Sequence, residues 1–326
     1  MPASAAVRSP LALNTISFEM RPAPPFRLDL TAWVLRRRPE NLLDRWDGQT
    51  YRRALAIENV VVELAIQQTG SPSRSRLAVT AAAKKLPANS EIILRRKIES
   101  LLGTQINLRT FYSLAATQKH LRPLIAEFAG FKPPRYPTIF EALLNAISCQ
   151  QVSLHVGIML LNRLVETFGK TASPAAPDAL HACPPGRACP SPEDMAAVPS
   201  STLRAMGYSQ QKERAILELS RSIVAGELNL ESLYDLDDAS ALARLTAIRG
   251  VGRWSAEYAL LRGMGRLNIF PGDDVGGWNK LQKHLHLHKR PGYKKTRKLL
   301  APWKSFAGLI YFHFLLDGLR DKGALA

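Results

Sequence analysis

Two acids stand side by side at Asp273 and Asp274, closing the run Phe270-Pro271-Gly272-Asp273-Asp274. A tryptophan and a tyrosine stand four residues apart at Trp254 and Tyr258. A fixed carboxylate can stabilise an adjacent developing positive charge and orient or deprotonate an attacking water. Aromatic rings at i and i+4 share one helix face, and such a wall can receive a flat cationic ring by stacking and cation–π attraction. Each group also has a plainer use. The acids can cap the helix containing Trp278 and Leu281, a role that suits Asp273 better, and the aromatic pair can simply pack in a core.

The elements that must position these groups surround a glycine hairpin, Ile248-Arg249-Gly250-Val251-Gly252-Arg253-Trp254-Ser255-Ala256. Asp237, Asp238 and Ser240 offer N-caps for a helix through Leu242, Leu245 and Ile248. Gly250 and Gly252 can take positive φ, so the chain can reverse within three or four residues. A second helix is expected from near Arg253 to Gly263 or Gly265. Its first backbone N–H groups and the positive end of its dipole form a seat for one DNA phosphate. Hairpin carbonyls facing the other way can bind a monovalent cation. An ordinary αα-turn would need the glycines only to relieve strain. The spacing Ile-x-Gly-Val-Gly-x-Trp-x-Ala, with arginine at each turn boundary, favours the DNA-gripping hairpin.

Composition agrees with a polyanionic partner. The 326 residues are 46% hydrophobic and carry a net charge of +17, with pI near 10.1, which fits a globular, not disordered, protein of two or three domains. Residues 1–120 hold 18 basic and 9 acidic groups, and residues 121–326 hold 26 and 18, so the excess is spread over both halves instead of sitting in a tail. Nine Lys or Arg and no acid fall within residues 280–304, just beyond Asp274. Such a patch positions nucleic-acid backbone without reading sequence. No apolar run reaches membrane-spanning length. Three cysteines, Cys149, Cys183 and Cys189, are an odd and sparse set that points to a reducing, cytoplasmic setting. His284, His286 and His288 alternate without accompanying acids or cysteines, and are expected in a solvated, DNA-facing segment instead of a metal site.

Along the chain, residues 1–14 read as a flexible tail and 15–118 as a mixed α/β region. In the latter, residues 54–66 are rich in β-branched side chains, Arg76-Leu77-Ala78-Val79-Thr80 makes a further strand, and Ser90 caps a helix through Ile93, Ile98, Leu101 and Leu102. Residues 119–326 are helical. Helices open at Pro137-Thr138 and Ser153, resume at Pro192, near Ser200, at Gln210 and at Ser240, and end with one from Trp303 to Leu319. A Pro/Ala-rich insert, residues 171–192, is expected to be a passive loop, although its Cys183 and Cys189 could bind metal or form a disulfide.

The hairpin, the Gly252-Arg253-Trp254-Ser255-Ala256-Glu257-Tyr258 run, Leu261-Arg262-Gly263, Phe270-Pro271-Gly272-Asp273-Asp274 and Pro302-Trp303-Lys304-Ser305-Phe306 resemble the helix-hairpin-helix DNA glycosylase superfamily, in its 3-methyladenine DNA glycosylase II (AlkA-type) branch. The resemblance extends over about residues 16–319. It departs at Arg249, where much of the superfamily has proline.

The resemblance implies a mainly helical fold with an N-terminal α+β domain, a small antiparallel sheet packed by helices, and two helical lobes in residues 119–326. It implies Asp274 as the catalytic carboxylate, with Asp273 its rival, and a base pocket walled by Trp254, Tyr258 and, by a weaker match, Phe312. Bifunctional relatives hold at position 254 a lysine that attacks the sugar; tryptophan cannot, so water is the expected nucleophile and an abasic site the product. Gln151 matches the residue that plugs the gap left by a flipped nucleotide, although a loop glutamine can also bond local backbone. Gly250, Gly252 and Arg253 would hold the phosphate, and the carbonyls of Thr246, Ile248 and Val251 the cation. Three cysteines, none after Asp274, cannot hold the iron–sulfur cluster of some relatives, so no cluster is expected. The expected partner is double-stranded DNA carrying a damaged, alkylated purine, bound by a monomer. The rival readings are a non-catalytic hairpin module and a glycosylase/lyase.

Overall fold

The computed structural model describes residues 14–172 and 184–325. The expected tail therefore lies outside the described residues except for Asn14, as does Cys183.

Strand β1 (Asn14–Met20) is followed by α1 (Leu28–Arg36), β2 (Arg45–Trp46), β3 (Thr50–Ile57), β4 (Val60–Thr69) and β5 (Arg76–Ala83). The strands form one antiparallel sheet in the order β1-β5-β4-β3-β2. The β-branched run at 54–66 is two strands, not one. Ile57 pairs with Val60 across a two-residue turn in which Glu58 takes a left-handed φ of 52°. Glu58-Asn59 lacks the glycine that usually marks such a turn, so the hairpin is hidden in the apolar pattern. Leu77, Val79 and Ala81 alternate inward on β5 and share a core with Leu94, Ile98, Leu101 and Leu102 of α2 (Ser90–Leu102). Ser90 does not cap α2: Asn89 precedes the helix, and the Ser90 hydroxyl bonds back to the Pro87 carbonyl.

The remaining helices are α3 (Arg109–Ala116), α4 (Arg122–Glu127), α5 (Ile139–Cys149), α6 (Leu154–Phe168), α7 (Pro192–Ala196), α8 (Ser200–Ala205), α9 (Gln210–Val224), α10 (Asp238–Thr246), α11 (Arg253–Arg262), α12 (Val275–His284), α13 (Gly292–Leu299) and α14 (Ala307–Arg320). Thr138 and Ser153 cap α5 and α6 through their side chains, accepting from the Glu141 and Val156 N–H groups. The last helix starts later than expected, because Ala301–Phe306 forms a tighter 3₁₀ turn with a kink at Trp303 before α14 begins.

Two cores result. One joins the sheet and α2 to α5, α6, α9, α10 and α11. The other gathers Phe111 of α3 and Leu124 of α4 around α14, with Phe111 in ring contact with Trp303, Phe306 and His313. Packing thus crosses residue 118, since α3 belongs with the C-terminal helix. Between sheet and helices lies a buried polar seam. Arg53 on β3 donates to Asp44 (2.5 Å) and to Glu141 on α5, and the Tyr51 hydroxyl donates to the same Asp44 oxygen (2.6 Å).

The insert is not passive where it is described. Thr171 bridges Arg187, Gly186 N–H donates to Glu63 (2.9 Å), and Arg45 donates to the Pro184 carbonyl (2.9 Å), so residues 184–188 are latched to the sheet. Burial pushes the Cys189 thiol well up, away from metal-binding thiolate character.

Candidate active site

Helices α10 and α11 flank the hairpin. The Asp237 carboxylate accepts from Ser240 N–H (2.7 Å) and starts α10. Gly250 has φ of 79°, and a Cβ there would stand 2.4 Å from the Ala215 Cβ on α9, so the turn needs glycine both for conformation and for close approach. Gly252, expected to share positive φ, does not. It sits at φ −78° as the N-cap of α11, with open space where a Cβ would point. Arg253 begins α11, lies over the Tyr293 ring (4.5 Å) and pairs with Asp273 (3.7 Å). Thr246 ends α10, and the Ile248 carbonyl accepts from Val251 N–H (3.0 Å) within the turn.

The α5–α6 loop faces this hairpin. Gln150 donates to the Gly250 carbonyl (2.9 Å) and to Ser255 Oγ (2.7 Å), fixing the two loops to each other. Gln151 is left exposed at the rim of the groove, at a left-handed φ of 52°. Gln150, not singled out from sequence, makes the local bonds that Gln151 could have made.

Asp274, not Asp273, is the N-cap of α12: its Oδ1 accepts from Gly277 N–H (2.6 Å). Its Oδ2 accepts from Trp254 Nε1 (2.9 Å) and from the Tyr311 hydroxyl (3.2 Å). The helix cap and the carboxylate lining the groove, posed as alternatives from sequence, are one side chain, and three donors fix its orientation. Asp273 instead turns outward to Arg253. Burial, reinforced by the Asp274 charge, raises the Tyr311 hydroxyl well above its usual range, so Tyr311 acts as a neutral donor.

The loop before Asp274 is held at Gly272. Its N–H donates to Glu257 Oε2 (2.7 Å) and its carbonyl accepts from Trp278 Nε1 (2.7 Å). Glu257 also accepts from the Tyr293 hydroxyl (2.8 Å). A Cβ at residue 272 would meet the Tyr293 ring at 2.5 Å. Glu257 is buried, and that burial pushes its carboxyl above the usual range.

Trp254 and Tyr258 stack with ring centroids 5.2 Å apart and planes 28° from parallel, and both line the groove. Phe312 does not join them. It is 0% exposed, packed against Phe131 and beneath the buried Arg262 guanidinium. The wall residue on α14 is its neighbour Tyr311, with Phe314 and Leu315 further along the groove. Helical spacing carries this signal, because residue 312 points away from the face shared by 311, 314, 315 and 318. At the inner end stands Arg37, donating to the Tyr258 hydroxyl (3.2 Å) and to Asn145. The Tyr258 hydroxyl also bonds that of Tyr136 (2.9 Å). No local motif marks Arg37, Asn145 or Tyr136.

His284 is not solvated. Its Nε2 meets the buried Asp317 carboxylate (2.8 Å) and its ring stacks on Phe314. Lys280 reaches the same carboxylate (2.6 Å), tying α12 to α14. His286 packs edge-on to His120, while His288 is exposed, so the three histidines diverge. Among the described residues no cluster of three His, Cys, Asp or Glu could hold a metal ion, and no single helix is long and apolar enough to cross a membrane.

The pattern of the HhH-GPD superfamily of base excision DNA repair proteins matches residues 144–305, the span that holds the hairpin and Asp274. Residues 144–305 belong to that superfamily. The chain's 290-residue match to DNA-3-methyladenine glycosylase 2 of Escherichia coli is 24% identical and covers 87% of this chain and 92% of the relative. A DNA-3-methyladenine glycosylase of Bacillus subtilis is 27% identical over 207 residues, 64% of this chain. The chain spans 61 and 66% of the lengths of the two Bacillus subtilis curated relatives it matches. Among solved structures, the 3-methyladenine DNA glycosylase of Archaeoglobus fulgidus superposes with a TM-score of 0.78 at 25% identity, covering 92% of this chain and 97% of that one. The HhH-GPD fold with its N-terminal antiparallel sheet is thus the expected one.

Proposed function

We propose that the protein is a monofunctional DNA glycosylase, which hydrolyses the N-glycosidic bond of a damaged, alkylated purine flipped out of duplex DNA. The names of its relatives support this reading. The observation that carries it is the Asp274 carboxylate, fixed by Trp254, Tyr311 and Gly277 beside the Trp254–Tyr258 stack. In this scheme the base enters beside the stacked pair and the carboxylate faces the sugar carbon. The bond from that carbon to the base nitrogen breaks and the electron pair leaves with the base. The carboxylate stabilises the oxocarbenium ion that results, water oxygen bonds to the carbon, and the carboxylate takes the water proton. Trp254 offers no amine, so no covalent enzyme–sugar bond forms.

The N-terminus of α11 at Gly252 and Arg253 would seat a phosphate, and Gln151 at the rim would enter the gap left by the flipped nucleotide. The carbonyls of Thr246, Ile248 and Val251 would hold a monovalent cation; the Ile248 oxygen, with one hydrogen bond made inside the turn, keeps a lone pair for it.

Base release from dimethyl-sulfate-treated duplex DNA is the test, with Asp274→Asn alongside. The expected outcome is free 3-methyladenine from the wild type, strand nicks only after alkali, and at least about a hundredfold loss in the variant. Release that persists in Asp274→Asn would remove that residue from the chemistry. Tight DNA binding with no base released by either protein would make this a non-catalytic hairpin module.

A further inference from the structure

Glu257 is a buried carboxylate that the chemistry at Asp274 does not use. It stands one turn beyond Arg253 on α11, beside the face that carries Trp254 and Tyr258. Burial raises its carboxyl above the usual range, against the pull of the two hydrogen bonds it accepts, and the Asp273 charge adds to the rise. A carboxylate in such a place is tolerated only through the bonds it accepts. Both oxygens are used: Oε2 takes the Gly272 N–H (2.7 Å) and Oε1 the Tyr293 hydroxyl (2.8 Å). Tyr293 belongs to α13, is half-buried, and lies under the Arg253 guanidinium (4.5 Å). Neither Glu257 nor Tyr293 is among the residues that line the groove.

Those two bonds grip the turn that delivers Asp274. The Pro271 carbonyl accepts from the Asp274 N–H (3.1 Å), so Gly272 and Asp273 are the central residues of a tight turn. The Gly272 N–H goes to Glu257 and its carbonyl to Trp278 Nε1 (2.7 Å), so the peptide groups on both sides of Gly272 are fixed. The Tyr293 ring packs so close that a Cβ at residue 272 would meet it at 2.5 Å, which leaves the turn no room to move toward α13. Asp273 is tied back to Arg253 (3.7 Å). Turning the Gly272 peptide would carry the Asp274 backbone with it, because Trp254 and Tyr311 hold only the side chain's Oδ2. Resting on the reading of Asp274 as the catalytic carboxylate, we propose that Glu257 and Tyr293 are positioning residues. They form a strut from α13 through α11 that sets the turn, and so the distance from the Asp274 carboxylate to the sugar carbon. Misplacing a reacting group by about an ångström costs up to about a hundredfold in rate. DNA affinity is untouched, since the hairpin that seats the phosphate is held by other bonds.

The test uses the full chain and single-turnover release of 3-methyladenine from dimethyl-sulfate-treated duplex DNA at saturating protein, beside the Kd for undamaged duplex and a thermal melt. Tyr293→Phe keeps the ring on Gly272 and removes one hydroxyl from a half-buried position, a change the fold tolerates. Its saturating rate is expected to fall about three- to tenfold, with the Kd unchanged within about twofold. Glu257→Leu removes both bonds at similar size and is expected to lose about thirtyfold or more. Glu257→Gln keeps an oxygen for the Gly272 N–H and is expected to stay within about threefold of the wild type. A Tyr293→Phe rate equal to the wild type's overturns the proposal, even where Glu257→Leu does not fold. Lower melting temperatures with the saturating rate of folded protein intact overturn it too, because that is what a merely structural role predicts. Equal losses in Glu257→Gln and Glu257→Leu would assign the effect to charge and overturn the strut. Weaker DNA binding at an unchanged saturating rate would make α13 a binding element and likewise overturn it. In each of these cases release by the wild type leaves the glycosylase reading intact; no release by the wild type fails both.

Discussion

Helix α5 carries Glu141 and Asn145 one turn apart, and each meets a buried arginine from the N-terminal region. Glu141 serves Arg53, which also holds Asp44, so that guanidinium is enclosed by two carboxylates and a tyrosine hydroxyl. Asn145 serves Arg37, whose direct hydrogen-bond partners are neutral. The two arginines are alike in burial and differ in contact. Around Arg53 one guanidinium meets two carboxylates, and the cluster joins sheet to helix. Around Arg37 no carboxylate is in contact among the described residues, and the charge of Glu141 acts on it at a distance. Two cations and two anions thus balance across the pair, one arginine by contact and the other through space.

The largest expected effect breaks the closed member of the pair. Arg53→Met strips Asp44 and Glu141 of their common partner and leaves two buried carboxylates. A loss of about 3–5 kcal/mol in chemical denaturation is expected, because the cost is that of uncompensated buried charge. Burial already raises the Glu141 carboxyl above its usual range despite Arg53, so without the arginine part of this loss should appear as uptake of protons. Loss below about 1 kcal/mol would mean that the seam does not hold sheet to helix.

His313 sharpens the contrast, because it is a buried base that can discharge. Its Nδ1 meets the Leu309 carbonyl (2.7 Å), and Phe111, Phe128 and Phe131 surround the ring. Burial pushes it down to about 4 from an ordinary 6.5. Between those values the unfolded chain binds the proton and the native chain does not, so this residue lowers stability as pH falls through that window. The contribution is absent above about pH 6.5 and reaches about 3 kcal/mol by pH 4. Thermal melts of His313→Leu should show a flatter acid limb than wild type over that range. Parallel limbs would show that the ring protonates in place.

Much of this was legible in the chain. The glycine hairpin, the cap at Asp237, and the Trp254 and Tyr258 spacing are local, and local spacing is what sequence displays. That an acid of the pair lies beside the groove was legible too, but that Asp274 both caps α12 and faces the groove was not: its second oxygen is placed by Tyr311 and Trp254, which reach it from other helices. Phe312 was misplaced by one residue, although the helical face of α14 separates it from Tyr311. The β3–β4 turn hid because Glu58 takes positive φ without being glycine. Arg37, Asn145 and Tyr136 meet only through packing of the end of α1 against α5 and the segment before it, around Tyr258 of α11. Charge composition counted Arg37 among a surface excess, when it is one of the buried cations.

The smallest expected effect tests whether the two arginines differ only by what α5 offers them. Asn145→Asp gives Arg37 the carboxylate that Arg53 already has, with the same number of side-chain atoms. A salt bridge forms where Arg37 now meets a carboxamide. Stability in chemical denaturation should change little or rise, since a buried cation gains a contacting counter-ion. A loss above about 1 kcal/mol would mean that Glu141 already supplies the charge Arg37 needs, and that a third carboxylate beside the two arginines is one too many.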